Sequence, residues 1–112
     1  MVWYSYVSYF FGGLFLTNAI PHWVSGLMGR PFQSPFAKPS GEGLSSSTVN
    51  VLWGLFNAAI GYVLLCHVGA FDLHDPGDVG AAGLASVLIS VFMARHFGRF
   101  NGGNDPQGTG WK

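Results

Sequence analysis

Apolar residues run almost unbroken through three stretches, Val2 to Met28, Val49 to Val68 and Val79 to Phe97, and polar residues collect between and after them. Apolar runs of about 18 residues or more, with almost no charge inside, mark transmembrane helices. At about 1.5 Å per residue the second and third stretches reach about 30 Å as helices, the thickness of a bilayer's hydrocarbon core. The pattern predicts an all-α membrane protein with three transmembrane helices in an antiparallel bundle, over about residues 2–28, 49–68 and 79–97. Residues 1–100 then form one transmembrane domain, with a Pro/Phe-rich first loop over 29–48 and a flexible polar tail over 101–112.

The first stretch would be about 40 Å long as one helix, more than a bilayer needs, so it must tilt, kink or divide. Pro21 is the expected break, because its ring clashes with the preceding turn and its missing N–H frees the carbonyl of Thr17. Val2 to Ile20 can span alone, and Pro21 to Met28 then continues at an angle or lies at the interface. Trp3, Tyr4, Tyr6 and Tyr9 gather at the other end, as expected of an aromatic belt at headgroup level.

The first loop is punctuated by proline, glycine and serine and is expected to hold no regular element. Its pairs Pro31-Phe32 and Pro35-Phe36 join a stiff backbone to apolar area, so this interface loop should fold back onto the bundle or the membrane surface. Ser47 or Thr48 is the expected N-cap of the second helix, and Asp78 that of the third, after a tight acidic turn containing Asp72, Asp75 and Pro76-Gly77.

Composition agrees with the membrane reading. Charged residues are 9% of the 112-residue chain, against about 25% in a typical soluble domain. Net charge is zero, which removes the electrostatic footprint of a nucleic-acid binder. The single cysteine, Cys66, excludes an internal disulfide and is expected to be a small buried side chain. Thr17 and Ala19 have the spacing a signal peptidase reads, but no cation precedes the apolar run and Pro21 follows the would-be cut, so the first segment is expected to stay as an anchor. Arg30 and Lys38 lie in the first loop, and Arg95, Arg99 and Lys112 at or beyond the end of the third helix. The positive-inside rule puts both regions in the cytoplasm and the amino terminus and acidic turn outside.

Asn50, Gly54, Asn57 and Gly61 recur at helical spacing on one stripe of the second helix, and Ser86 and Ser90 continue a similar face on the third with Ala82. Asn18, Gly12 and Gly13 are candidate complements on the first. Small residues let helices approach closely in lipid and asparagine bonds across the contact, so these faces are expected to pack helices or bind a partner. No Asp, Glu, Lys or Arg sits mid-span, which weighs against a proton pump or ion transporter. His22 and His96 should lie near the cytoplasmic face, where they are candidates to clamp a haem or a metal between helices one and three. His67 and His74 with Asp72 and Asp75 are candidates for a surface metal site. Neither set has a diagnostic spacing, and interfacial histidine commonly serves as an amphipathic end group. Nucleophile elbows and phosphate-cradling loops are absent from the sequence, so neither an enzyme nor a resident cofactor is expected.

The segment NAIPHWVSGLMGRPFQSPFAKPSGEGLSSSTVNVLWGLFN, residues 18–57, resembles a family of small, uncharacterised bacterial integral membrane proteins. The resemblance is carried by Asn-Ala-Ile-Pro-His, by Gly-Arg-Pro-Phe followed by Ser-Pro-Phe-Ala, by Gly-x-Gly before a serine run, and by Asn-Val-Leu-Trp-Gly. It implies a bacterial inner membrane setting and brings no catalytic role to Asn18, Pro21, His22, Pro31, Pro35 or Asn50. The expectation is therefore an accessory or assembly subunit of a larger membrane complex, working with the lipid bilayer and with other subunits or copies of itself. Alternatives are a homo-oligomeric carrier for a small neutral solute, lined by the helix-two asparagines, and a haem- or metal-binding subunit using His22 and His96.

Overall fold

The computed structural model describes residues 2–110. Three helices, α1 (Trp3–Leu27), α2 (Ser47–Cys66) and α3 (Pro76–Asn101), alternate in direction, and a short hairpin of β1 (Phe32–Gln33) and β2 (Leu44–Ser45) lies between the first two. The molecule is 48 Å along its longest axis, enough to cross a hydrocarbon core and reach both headgroup layers.

α1 is the hub. α2 packs along one of its sides and α3 along another, while α2 and α3 scarcely touch. Close approach explains the arrangement. A Cβ on Gly54 would meet the backbone nitrogen of Trp23 at 2.8 Å, one on Gly61 would meet the carbonyl oxygen of Gly12 at 3.0 Å, and one on Gly13 would overlap the Ala82 carbonyl. Glycine stripes of α1 and α2 thus face each other, with Gly13 seated against α3. Buried hydrophobic side chains are few, among them Tyr9, Ala19, Ala85 and Met93, while Leu52, Phe56, Val87 and Val91 lie exposed on the outer faces. Among the described residues two helices, α2 and α3, are long and apolar enough to cross a membrane. α1 has the length, 25 residues, but its serines, tyrosines, Asn18 and His22 dilute its hydropathy.

Several expectations need correction. Of the courses open to the first stretch at Pro21, α1 takes continuation rather than division and stays helical to Leu27. In the turn that proline weakens, the Thr17 hydroxyl donates to the Gly13 carbonyl, 2.8 Å away, and shares a 2.9 Å hydrogen bond with Ser86 of α3. The first loop does contain a regular element, with Phe32 opposite Ser45 and Gln33 opposite Leu44 in an antiparallel pair. Ser46, one residue before the expected caps, is the N-cap of α2 and accepts from the Val49 N–H. Asp75 caps α3 by accepting from Gly77 N–H at 2.8 Å, and Pro76 occupies the first helical position, where a missing N–H costs nothing. Asp78 instead sits buried in the first turn, accepting from the Asp72 N–H and so tying the acidic turn to the helix start. Cys66 is exposed at the end of α2, not buried. α3 runs on to Asn101 and stops at Gly102, whose φ of 87° is the left-handed conformation that favours glycine at a helix end. Beyond it Asn104 folds back, its side-chain amide donating to the Arg95 carbonyl, and Asp105 accepts from Thr109 and Gly110.

Candidate functional site: a polar seam and the cavity it frames

Polar groups on α1 are spent one by one against the neighbouring helices. Ser8 donates to the Leu64 carbonyl at 2.6 Å, Asn18 to Asn57 Oδ1 at 3.1 Å, and His22 Nδ1 lies 2.9 Å from Asn50 Oδ1. Asn18 and His22 stand one turn apart on α1, and their partners Asn57 and Asn50 stand two turns apart on α2, so the asparagine stripe meets polar residues of α1.

The amide orientations follow from the carbonyls they face. Asn57 Nδ2 donates to the Trp53 carbonyl, so its oxygen accepts from Asn18 Nδ2, and Asn18 Oδ1 remains an acceptor. Asn50 Nδ2 donates to the carbonyls of Phe32, Ser45 and Ser46, which pins both strands of the hairpin to the start of α2. Asn50 Oδ1 must then face His22, so Nδ1 of that imidazole carries the proton and Nε2 keeps its lone pair. His96 is fixed by the same logic. Its Nε2 donates to the Gly41 carbonyl at 2.6 Å, and Nδ1 accepts from Arg99 at 3.1 Å. Gly41 makes that approach with φ of 78°, a backbone shape that suits glycine. Asn101 completes the closure by donating to Gln33 Oε1 and the Phe97 carbonyl.

Framed by these contacts is an open-sided cavity of about 330 Å³ that includes Asn18, His22, Gln33, Trp53, Phe92 and His96 in its wall. It lies within the range of small-molecule sites. Phe32 and Phe97 pack edge-on to the His22 ring at 5.5 and 5.9 Å, and Trp53 stands 6.4 Å away. No Asp, Glu, Lys or Arg lines it. The indole N–H of Trp53 is buried without a hydrogen-bond partner among the described residues.

The structure brings many of the sequence candidates to this end of the bundle. Asn50 and His22 bond directly, His96 closes the opposite wall, Phe32 packs on Phe97, and Pro35 lines the cavity. Phe36 is largely exposed and sets its edge on Trp53, while Pro31 is exposed ahead of β1. Gly54 and Gly61 lie along the α1–α2 seam and Ser86 meets Thr17, whereas Ser90 stays exposed on a groove. His67 and His74 stay apart from this region, His67 stacking near Tyr62 and His74 resting 3.4 Å from Asp72 at the surface. Among the described residues no three His, Cys, Asp or Glu side chains gather where a metal ion could sit. Both nitrogens of His96 are engaged, so that ring offers no lone pair to a haem iron. Asn50 and Asn57 are fully buried against α1, so neither faces a path between copies. Gln33, Trp53 and Phe97 were not singled out from the sequence. Trp53 lies one turn from both Asn50 and Asn57, a signal that helical spacing does contain, while Gln33 joins through contacts far apart in the chain.

An all-α bundle of three packed antiparallel helices, two of them able to cross a bilayer, is the class that fold and site define. No family model, curated protein or solved structure matches the chain.

Proposed function

We propose that this chain is a three-span integral membrane protein that serves as a small accessory or assembly subunit, docked by α3 against a transmembrane helix of a larger complex. The observation that carries the reading is the unmet face of α3. A Cβ on Gly80 or Gly83 would meet nothing within 4 Å, and Ser90 and Ala94 are exposed. Gly83, Ser90 and Ala94 are separated by near-whole turns and so share one side of the helix. In lipid, small-residue faces are where another helix packs closely. Beside that face an apolar groove of about 540 Å³ runs between α1 and α3, past Thr17, Pro21, Ser90 and Ala94. The small and polar residues facing inward are consumed within the chain, whereas this set is not.

The orientation follows from charge. Arg30 and Lys38 share an end of the bundle with Arg95 and Arg99, because the loop and the end of α3 are tied by the His96–Gly41 and Asn101–Gln33 contacts. The positive-inside rule makes that end cytoplasmic and the acidic turn external. Lys112 lies outside the described residues. The resemblance of residues 18–57 to small bacterial membrane proteins supports an inner membrane location.

Native mass spectrometry of the chain extracted gently from its own membrane tests the proposal. Unrelated subunits at fixed stoichiometry are expected. A discrete monomer would refute it, and copies of the chain alone would replace it with the homo-oligomeric reading.

A further inference from the structure

We propose that the cavity around His22 is a binding site for a neutral dihydroxy-aromatic head group of the hydroquinone type, one hydroxyl of which donates to His22 Nε2. The imidazole is only 3% exposed, yet this nitrogen receives no hydrogen bond from any described residue. Its tautomer is set by Asn50, whose own amide nitrogen is committed to three carbonyls, so the ring faces the cavity as an acceptor. An acceptor that opens onto a cavity in this way is met by an O–H donor.

A second acceptor stands one turn away on the same helix. Asn18 lines the cavity, and with its Nδ2 held by Asn57, its Oδ1 takes no other bond. Side chains four residues apart on a helix share a face, so both acceptors belong to the α1 wall of the cavity. Gln33, whose Oε1 is taken by Asn101, contributes a free amide donor for a hydroxyl oxygen. Counting the unpartnered indole N–H of Trp53, two acceptors and two donors face hydroxyls, which do both, whereas quinone carbonyls, which only accept, would leave both acceptors unmet. The wall supplies what the ring needs, with Trp53, Phe92 and Phe97 as apolar aromatic surfaces and no charge to attract an ion. Met93 and Phe97 also border the apolar groove between α1 and α3, so a hydrophobic tail leaving the cavity past them would meet apolar surface.

The test is equilibrium binding to the full chain in detergent micelles under anaerobic conditions, with trimethylhydroquinone, its dimethyl ether and trimethylquinone as probes. Saturable binding of the hydroquinone is expected, with the ether and the quinone each weaker by about tenfold or more for the lost O–H donors. His22→Phe should abolish binding. Because that change also releases Asn50, Ile89→Trp provides an independent variant that fills the cavity from α3 and leaves the His22–Asn50 pair alone. It should abolish binding without loss of helicity. Tighter binding of a decyl-tailed hydroquinone supports a membrane-borne ligand, and equal binding a water-soluble one with the same head group. Absence of saturable binding, equal affinity for hydroquinone and ether, or binding unchanged in Ile89→Trp overturns the proposal.

Discussion

Asn50→Ala is the substitution that most directly probes how loop, α1 and α2 are held together. The side chain is fully buried, its nitrogen donating to the carbonyls of Phe32, Ser45 and Ser46 and its oxygen accepting from His22. Truncation releases both hairpin strands and leaves the His22 N–H without an acceptor. An orphaned buried donor costs about 1–3 kcal/mol, and side-chain bonds within membrane bundles contribute about 0.6 kcal/mol each, so a total near 3 kcal/mol is expected. Asn57→Ala is the matched control. It removes the same volume from the same helix face but only the Asn18 and Trp53 bonds, and the Asn18 amide it frees is half-buried on the open cavity rather than sealed like the His22 N–H, so about 1 kcal/mol is expected. Sodium dodecyl sulfate titration in mixed micelles, read by tryptophan fluorescence, gives both values, and limited proteolysis of residues 29–46 reports loop release. Equal losses for the two variants, or a loop no more cleavable in Asn50→Ala, would refute the assignment of Asn50 as the tie.

Gly54→Val should destabilise the isolated chain by about 1–3 kcal/mol, because its Cβ meets the Trp23 backbone, whereas Gly83→Ala should be neutral or slightly stabilising by the same titration. Gly83→Ala should nonetheless weaken recovery of the native complex on affinity purification, since that face is assigned to a partner. Asp75→Ala and Ser46→Ala should each cost about 1 kcal/mol for a lost cap, while Ser47→Ala stays within about 0.5 kcal/mol. A double-mutant cycle of Thr17→Val and Ser86→Ala should give a coupling of about 0.6 kcal/mol across the α1–α3 contact.

Helix number and the asparagine stripe were legible in the sequence because apolar periodicity is local information. Asn50, Gly54, Asn57 and Gly61 repeat at helical spacing, and each faces α1 in the structure. Helix ends were legible only to within a few residues, since Ser46, Ser47 and Thr48 offer near-equivalent caps and Pro76 suits a first turn as well as a hairpin. What the sequence hid depends on pairing across distance. The two-residue strands bond residues from opposite ends of the loop, and Gly41 meets His96 across 55 positions. Which course the chain takes at Pro21, continuation or division, is likewise open in the sequence, since the Thr17 contact beside it is to Ser86 on another helix. The cavity is the extreme case, since it is framed by three helices and a hairpin whose contributions look unrelated along the chain.

Cysteine labelling in intact cells is the most direct measurement of the three-span account, with single reporters placed in a Cys66→Ala background. Lys38 and Leu73 are both exposed, Leu73 at 78%, and lie in the first loop and in the acidic turn respectively. Leu73→Cys should react with a membrane-impermeant maleimide added outside, and Lys38→Cys should react only after lysis. The opposite pattern, or equal labelling of both in a chain recovered from the soluble fraction, would contradict the account.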